Sequence, residues 1–252
     1  MYNYKSLDAT YNIEITVLFP DNTERCYCSK VDVHHKKRNK TEWGIILKRK
    51  YDTRINGNTL TNIVDKLMRE LGESLYPISL KLLEDNNYTI VNNDEIAERW
   101  LRKSEHLLEE YPTIEFKNYV EMAISNLRPI YLEKMLVRDT FFQLYLANTN
   151  LDLFSVDCFN FPTKGKKNMF YAKCIFNKSN LENKRNYLLF PSFSSSNMKE
   201  TGGSLLYVFY PEGDICSIEG EFKLTTANSD SYLKRVKITV VNRNIKKGIL
   251  NI

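Results

Sequence analysis

Hydrophobic and polar positions alternate with two different periods along the chain, and the change of period divides it into three parts. Near the N-terminus apolar residues recur at every second position, as in Tyr11 to Phe19, which predicts half-buried β-strands. Between Asn92 and Asn148 they recur at spacings of three and four, which predicts α-helices. From Leu151 onward the period of two returns. We therefore predict a helical block that lies between two β-rich parts.

The predicted strands share alternating apolar positions and are bounded by turn residues. Pro20-Asp21-Asn22 and Pro211-Glu212-Gly213-Asp214 are turn sequences with strand patterns on both sides. Residues 192–203 are polar and Ser-rich, which predicts a mobile loop. The predicted strands are 11–19, 24–35, 42–51, 76–83 and 88–91 before the helical block, and 152–159, 168–176, 184–190, 204–210, 214–225 and 232–242 after it.

Prolines divide the helical block. Pro112 ends a helix that begins after Asn92, and Pro129 stands where a third helix would start. That third helix carries an apolar stripe as far as Tyr145, interrupted by Arg138-Asp139, of which we expect one to be buried and paired. A shorter helix before the block shows a regular apolar stripe, formed by Leu60, Ile63, Val64, Leu67, Met68 and Leu71.

This order of elements predicts an α+β fold, a mainly antiparallel sheet with a segregated layer of three consecutive helices and one shorter helix. We expect residues 1–148 to form β-strands followed by the helical layer. Residues 149–252 would form a β-rich C-terminal part, in a second lobe or packed on the same core. The predicted boundary lies at Thr149-Asn150-Leu151.

A short motif lies where the last N-terminal strands meet the first long helix. Tyr76-Pro77, Ile90, Asn92, Glu95-Ile96 and Arg99-Trp100 together resemble an uncharacterised family of Bacteroidetes proteins, over residues 10–148. In that family a strand with a Tyr-Pro start leads to a short hairpin and a helix with an Arg-Trp pair. The resemblance implies the fold of this part and no activity.

Charge is distributed unevenly. Residues 1–57 have a net charge of +4, residues 58–148 of −5 and residues 149–252 of +6, within a total of +5. The helical block and the β-rich parts therefore either attract one another, or the basic ends form a surface for an anionic partner. The candidate partner-binding residues lie in two predicted hairpin tips and comprise Lys36, Lys37, Arg38, Lys164, Lys166 and Lys167.

The residues that enzymes and metal sites use are scarce. The 252 residues include three histidines and nine glycines, and they show no phosphate loop, G-x-S-x-G or kinase motif. His34 and His35 are adjacent in a strand and point to opposite faces, so we assign them to a solvated basic tip. Cys26 and Cys28 face one side of a strand, but no third ligand stands nearby in the sequence. We predict no cofactor and no metal.

The N-terminal residues, the lengths of the apolar runs and the cysteines together indicate the cellular compartment. Met1 to Thr10 is polar, no run of about 18 apolar residues occurs, and the five cysteines are scattered. We therefore expect a cytoplasmic protein with reduced thiols and no membrane span.

The leading functional hypothesis is a non-enzymatic interaction protein with an acidic protein partner. It would be an adaptor, an immunity-type inhibitor or an accessory subunit of a bacterial assembly. The first alternative is a binder of a small apolar ligand in a cavity between sheet and helices. The second is nucleic-acid binding through the basic β-hairpins, near the aromatic residues that follow the helices. The sequence also leaves open an enzyme with an unusual site.

Overall fold

The computed structural model describes most of the chain, in segments separated by short gaps. Among these residues the fold is α+β, built on a 12-stranded sheet in which all paired strands are antiparallel. The described residues are 6–37, 43–55, 58–59, 62–83, 88–124, 127–129, 131–133, 139–147, 153–159, 168–175, 183–191, 198–226 and 229–246.

The N-terminal half of the sheet begins with three long strands. These are β1 (Ser6–Leu18), β2 (Glu24–Lys37) and β3 (Trp43–Ile55), followed by the short β4 (Asn58–Thr59), β5 (Ile78–Leu82) and β6 (Tyr88–Ile90). The C-terminal half contains β7 (Leu153–Phe159), β8 (Asn168–Ile175), β9 (Lys184–Pro191), β10 (Met198–Phe209), β11 (Ile215–Thr226) and β12 (Ser231–Lys246).

The two halves meet where the first strand pairs with the last. The strand order is β6-β5-β3-β2-β1-β12-β11-β10-β9-β8-β7, with β4 paired to β3. The register of β1 and β12 runs from Ser6 opposite Lys246 to Leu18 opposite Leu233. One core cluster of buried residues draws on both halves. The predicted boundary at 149–151 lies outside the described residues.

Alternation along each strand gives the sheet two different faces. On β1, Tyr11 and Ile13 are almost completely buried, while Asn12 and Glu14, which alternate with them, are exposed. We call the face that carries Tyr11 and Ile13 the inner face, and the face that carries Asn12 and Glu14 the outer face. The helices cover the inner face, so its residues supply the core.

The described helices lie between the two halves of the chain in sequence, except for the first. They are α1 (Ile63–Ser74), α2 (Asn93–Glu110), α3 (Ile114–Ile124) and α4 (Thr140–Tyr145). Residues 129 and 131–133, between α3 and α4, are also helical, as predicted for a third helix that starts at Pro129. Helix α1 packs against α2 and β3, and α2 also contacts α3. Within the described ranges, none of the helices has the length and apolar character needed to cross a bilayer.

The predicted third helix is wrong at Asp139. This residue has extended backbone angles, φ −70° and ψ 127°, and begins the separate helix α4. Its carboxylate accepts hydrogen bonds from the amides of Phe141 and Phe142, at 2.9 and 3.2 Å, and also pairs with the buried Arg49 of β3. The apolar pattern of the sequence continues beyond Asp139 because Phe141, Phe142 and Leu144 of α4 are all buried, so more than one side of this short helix faces the core.

Two further predictions need correction. The apolar stripe on α1 is only partly buried: Leu67 and Leu71 enter the core, whereas Val64 is 58% exposed. The predicted loop 192–203 overlaps β10, which begins at Met198. Its glycines permit close pairing with β11, because a Cβ added to Gly203 would stand 1.9 Å from the carbonyl oxygen of Glu221.

The motif that carries the resemblance has a structural role here. Arg99 donates hydrogen bonds to the carbonyls of Ser74, Leu75 and Pro77, so it satisfies acceptors at the end of α1. Asn92 also donates to the Pro77 carbonyl, and the Tyr76–Pro77 peptide bond is cis. The motif therefore joins α1, β5 and α2.

We expect Asp139→Ala to lower the free energy of unfolding by about 3 kcal/mol, since it removes both a helix cap and the carboxylate that pairs with the buried Arg49. The Arg49 guanidinium would keep its hydrogen bonds to Ser29 but lose this opposite charge. Urea denaturation measures this change. Asp230→Ala, at an exposed loop position, is the matched control and should change stability by less than about 0.5 kcal/mol. Equal effects of the two substitutions would show that the Arg49–Asp139 pair does not stabilise the fold.

Candidate interaction surface

The predicted partner-binding residues lie at the margin of the described structure. Lys36 and Lys37 form the last two positions of β2, opposite Gly44 and Trp43 of β3. Arg38, Lys164, Lys166 and Lys167 lie outside the described residues. The aromatic residues that suggested nucleic-acid binding fall on β7, β8 and their surroundings, where the structure describes no side chains. These predictions therefore stay predictions.

Three lysines that the sequence reasoning missed form a basic surface on the described part of the sheet. Lys30 of β2 and Lys48 and Lys50 of β3 are exposed and alternate with buried neighbours, so all three belong to the outer face. Lys30 stands directly opposite Lys50 in the strand register. We call these three residues the basic patch.

The register of the β2–β3 hairpin builds this patch. Val31 lies opposite Arg49 on the inner face, so the neighbouring Lys30 and Lys50 meet on the outer face. Lys48 stands opposite Asp32, whose carboxylate accepts a hydrogen bond from the Thr10 hydroxyl at 2.8 Å. Both strands and the hairpin tip between them were predicted from the sequence. Pairing the residues of the two strands outward from that tip in antiparallel register would have placed Lys30 opposite Lys50.

Like charges directly opposite one another destabilise a sheet. Lys30 and Lys50 are held in this arrangement by the backbone pairing on both sides of β2. Lys30 and Lys50 therefore present two adjacent positive charges to solvent, whereas Lys48 has Asp32 opposite it. An anionic group bound between Lys30 and Lys50 would relieve their repulsion.

A trough of about 810 Å³ crosses the outer face beside the basic patch. Its lining mixes both signs of charge, because Glu14, Lys237 and Glu219 stand in one row across β1, β12 and β11. The neighbouring row contains Arg235 and Glu221, which form an ion pair at 3.2 Å. This trough lies on the opposite side of the sheet from the helices, so it is distinct from the predicted cavity between sheet and helices.

His34 and His35 point to opposite faces, as predicted, but they do not form a solvated tip. Nδ1 of His34 lies 2.9 Å from a carboxylate oxygen of Asp8 on the neighbouring strand. Nε2 of His35 lies 2.9 Å from the hydroxyl of Tyr145, on the inner face. The prediction failed for His35 because β2 extends through both histidines and α4 covers its inner side.

His35 belongs to a half-buried aromatic and polar cluster. The ring of Tyr145 packs edge-on against Tyr11, whose hydroxyl donates to the carbonyl of Ile215. Burial lowers the pKa of His35 to about 4, although the carboxylates of Asp214 and Asp8 act in the opposite direction. Burial also raises the pKa of Tyr11. At neutral pH the cluster is uncharged, which suits an anchor for α4 better than a group that exchanges protons.

The structure describes the side chains of three of the five cysteines. None of Cys26, Cys28 and Cys216 forms a disulfide, and all three are half-buried. Across the described ranges, no three His, Cys, Asp or Glu side chains converge as a ready metal site. The side chains of Cys158 and Cys174 lie outside the description.

Comparison of the chain with models of protein families and with curated proteins finds no match.

We expect wild-type stability to fall as pH is lowered from about 7 to about 4. In the unfolded chain His35 becomes protonated near its ordinary pKa of 6.5, whereas in the folded protein its pKa is about 4. Because the unfolded state binds this proton more readily, lowering the pH favours unfolding. His35→Gln should lose this dependence, a difference of about 2 kcal/mol between the two ends of the range. Urea denaturation at a series of pH values measures it. Parallel stability profiles for the two proteins would contradict the assignment.

Proposed function

We propose that this protein is an interaction protein without catalytic activity of its own, which docks an acidic partner protein on the outer face through the basic patch. The observation that supports this proposal most directly is the pair of exposed lysines, Lys30 and Lys50, in direct cross-strand opposition. Such an arrangement is unfavourable in the isolated protein, and a partner carboxylate placed between the two ammonium groups makes it favourable.

The rigidity of the surface also supports a docking role. Strand β2 is paired along its length with β1 on one side and β3 on the other. Lys30 therefore projects from a backbone that is paired on both sides, and Lys48 and Lys50 project from the strand that pairs with it, which reduces the ordering that binding would require.

The partner can be captured in source cells by a photo-crosslinking residue placed at Asn12, an exposed outer-face position opposite Lys30. A crosslinker at the exposed Asn118 of α3 is the matched control. The proposal predicts an acidic protein that is captured at position 12 and not at position 118. Equal capture at both positions would contradict docking on the outer face.

Charge reversal then tests the patch with the purified partner. Lys30→Glu with Lys48→Glu should slow association, and rising salt should slow wild-type association, while the lifetime of the complex changes little. Lys117→Glu, an exposed position on α3, makes the same charge change per residue and should leave association unchanged.

Lys50→Glu separates docking from folding. It places opposite charges face to face across β2 and β3, so it should raise the free energy of unfolding by about 0.2–1 kcal/mol while it slows association. A variant that binds less because it is less stable would contradict the proposal.

Nucleic acid is the competing anionic partner. Its binding would weaken steeply with salt, with a logarithmic slope of about 0.9 for each phosphate contact on duplex DNA. If the wild-type protein binds DNA or RNA at micromolar concentration in physiological salt, and the double-reversal variant does not, nucleic-acid binding replaces protein docking as the function.

A further inference from the structure

The short strand β6 forms one end of the sheet. In the described part of the chain it pairs with β5 alone. The amide of Val91, just after β6, donates to the carbonyl of Ser79 at 2.9 Å, so the backbone groups of Val91 point toward β5. Backbone groups alternate in direction along an antiparallel strand, so those of Ile90 and Tyr88 point away from β5. Such an edge can pair with a further strand unless other groups occupy it.

Two side chains from the helical part of the chain occupy the outward backbone groups of Ile90. The carboxylate of Glu133 accepts a hydrogen bond from the Ile90 amide at 3.4 Å and from the Thr89 hydroxyl at 2.8 Å. The carboxamide nitrogen of Asn93 donates to the Ile90 carbonyl at 3.1 Å. These contacts use both hydrogen bonds that Ile90 would exchange with an added strand.

The Asn93 carboxamide makes this bond in an orientation that leaves its own oxygen unsatisfied. Oδ1 of Asn93 is buried and has no hydrogen-bond partner among the described residues. A buried acceptor without a partner is unfavourable. The opposite orientation would set this oxygen against the carbonyl oxygen of Ile90, so the contact with the strand edge determines how the side chain is placed.

We propose that Glu133 and Asn93 close the β6 edge against strand addition, and that loss of the Glu133 contact opens it to the same edge of a second copy of the chain. The bond from the Ile90 amide to Glu133 is long for a hydrogen bond, and the shorter bond from Thr89 holds the carboxylate in place. This inference concerns the end of the sheet and is independent of docking on the outer face.

A second copy fits this edge because the edge is complementary to itself. With a two-fold axis at Thr89, Tyr88 of each copy stands opposite Ile90 of the other, and each of these two pairs exchanges two hydrogen bonds. The two threonines face one another, which is a favourable cross-strand pair. Because β6 has three residues, the association is weak and appears only at high protein concentration.

Sedimentation of the whole protein tests the closure. The wild type should remain monomeric from micromolar to near-millimolar concentration, whereas Glu133→Ala should form dimers as its concentration rises. Glu133→Gln keeps an acceptor for the Thr89 hydroxyl and should remain monomeric. Glu121→Ala removes the same kind of side chain from an exposed position of α3 and is the matched control, which should also remain monomeric.

Hydrogen exchange locates the contact. In dilute Glu133→Ala the Ile90 amide should exchange at least about 10-fold faster than in the wild type, because it has lost its acceptor. The same amide should become protected again as dimers form. Tyr88→Pro removes an amide that points away from β5, at the first residue of an edge strand where proline is tolerated. Added to Glu133→Ala, it should keep the protein monomeric.

The proposal is overturned if folded Glu133→Ala stays monomeric at the highest concentration, or if it forms dimers in which the Ile90 amide still exchanges fast. Wild-type dimers that Tyr88→Pro abolishes would also overturn it, because the edge would then be open with Glu133 in place. If circular dichroism shows that Glu133→Ala does not fold, Thr89→Val is measured instead. It removes only the hydroxyl that holds Glu133, and the same outcomes decide.

Discussion

Antiparallel pairing between β1 and β12 is the interaction on which the rest of this structure depends. The first strand accepts its own hairpin partner β2 on one side and the last strand of the chain on the other. Every other strand is attached to one of these two through consecutive neighbours. The pairing joins residues more than two hundred positions apart, so the chain must close its longest loop to form it. In return, both halves contribute to one core.

Helix α4 reinforces this junction from the inner face. Asp139, at its start, pairs with Arg49 of β3, and Thr140 accepts a hydrogen bond from the buried Lys234 of β12 at 2.8 Å. The carbonyl of Leu144 accepts from the Tyr207 hydroxyl of β10 at 2.9 Å. A helix of six residues is too short to be stable alone. Its contacts with strands from both halves therefore position it and help to hold the halves together.

Most strands could be predicted from the sequence because alternation is a local signal. The predicted segment 24–35 and the observed β2 differ by two residues at one end. The turn at Pro211 to Asp214 is confirmed by two hydrogen bonds, one donated by the Tyr210 amide to the Asp214 carbonyl and one donated by the Gly213 amide to the Tyr210 carbonyl. The strand order could not be predicted. Nothing local in β1 or β12 indicates that they pair, since that choice depends on the packing of the whole chain.

The predictions that need correction concern positions whose structure depends on contacts between residues far apart in the sequence. Asp139 interrupts an apolar pattern because its carboxylate caps α4 and pairs with Arg49, a residue ninety positions away. The exposed apolar positions of α1 follow a regular helical period, but the neighbouring elements cover only part of that face. The basic patch was not predicted because runs of lysine and arginine mark the hairpin tip, whereas Lys30, Lys48 and Lys50 come together only through the strand register behind it. Adjacent hairpin strands determine each other's register, so this part was within reach of the sequence.

Hydrogen exchange of backbone amides, measured across a range of urea concentrations, tests most directly whether β1 and β12 join the chain into one cooperative unit. We predict that the slowest amides of β1, β2, β11 and β12 exchange through a single global opening with one free energy and one urea dependence. Separate free energies for the strands on the two sides of the β1–β12 pair would contradict this account. So would fast exchange at the paired amides of β1 and β12 themselves.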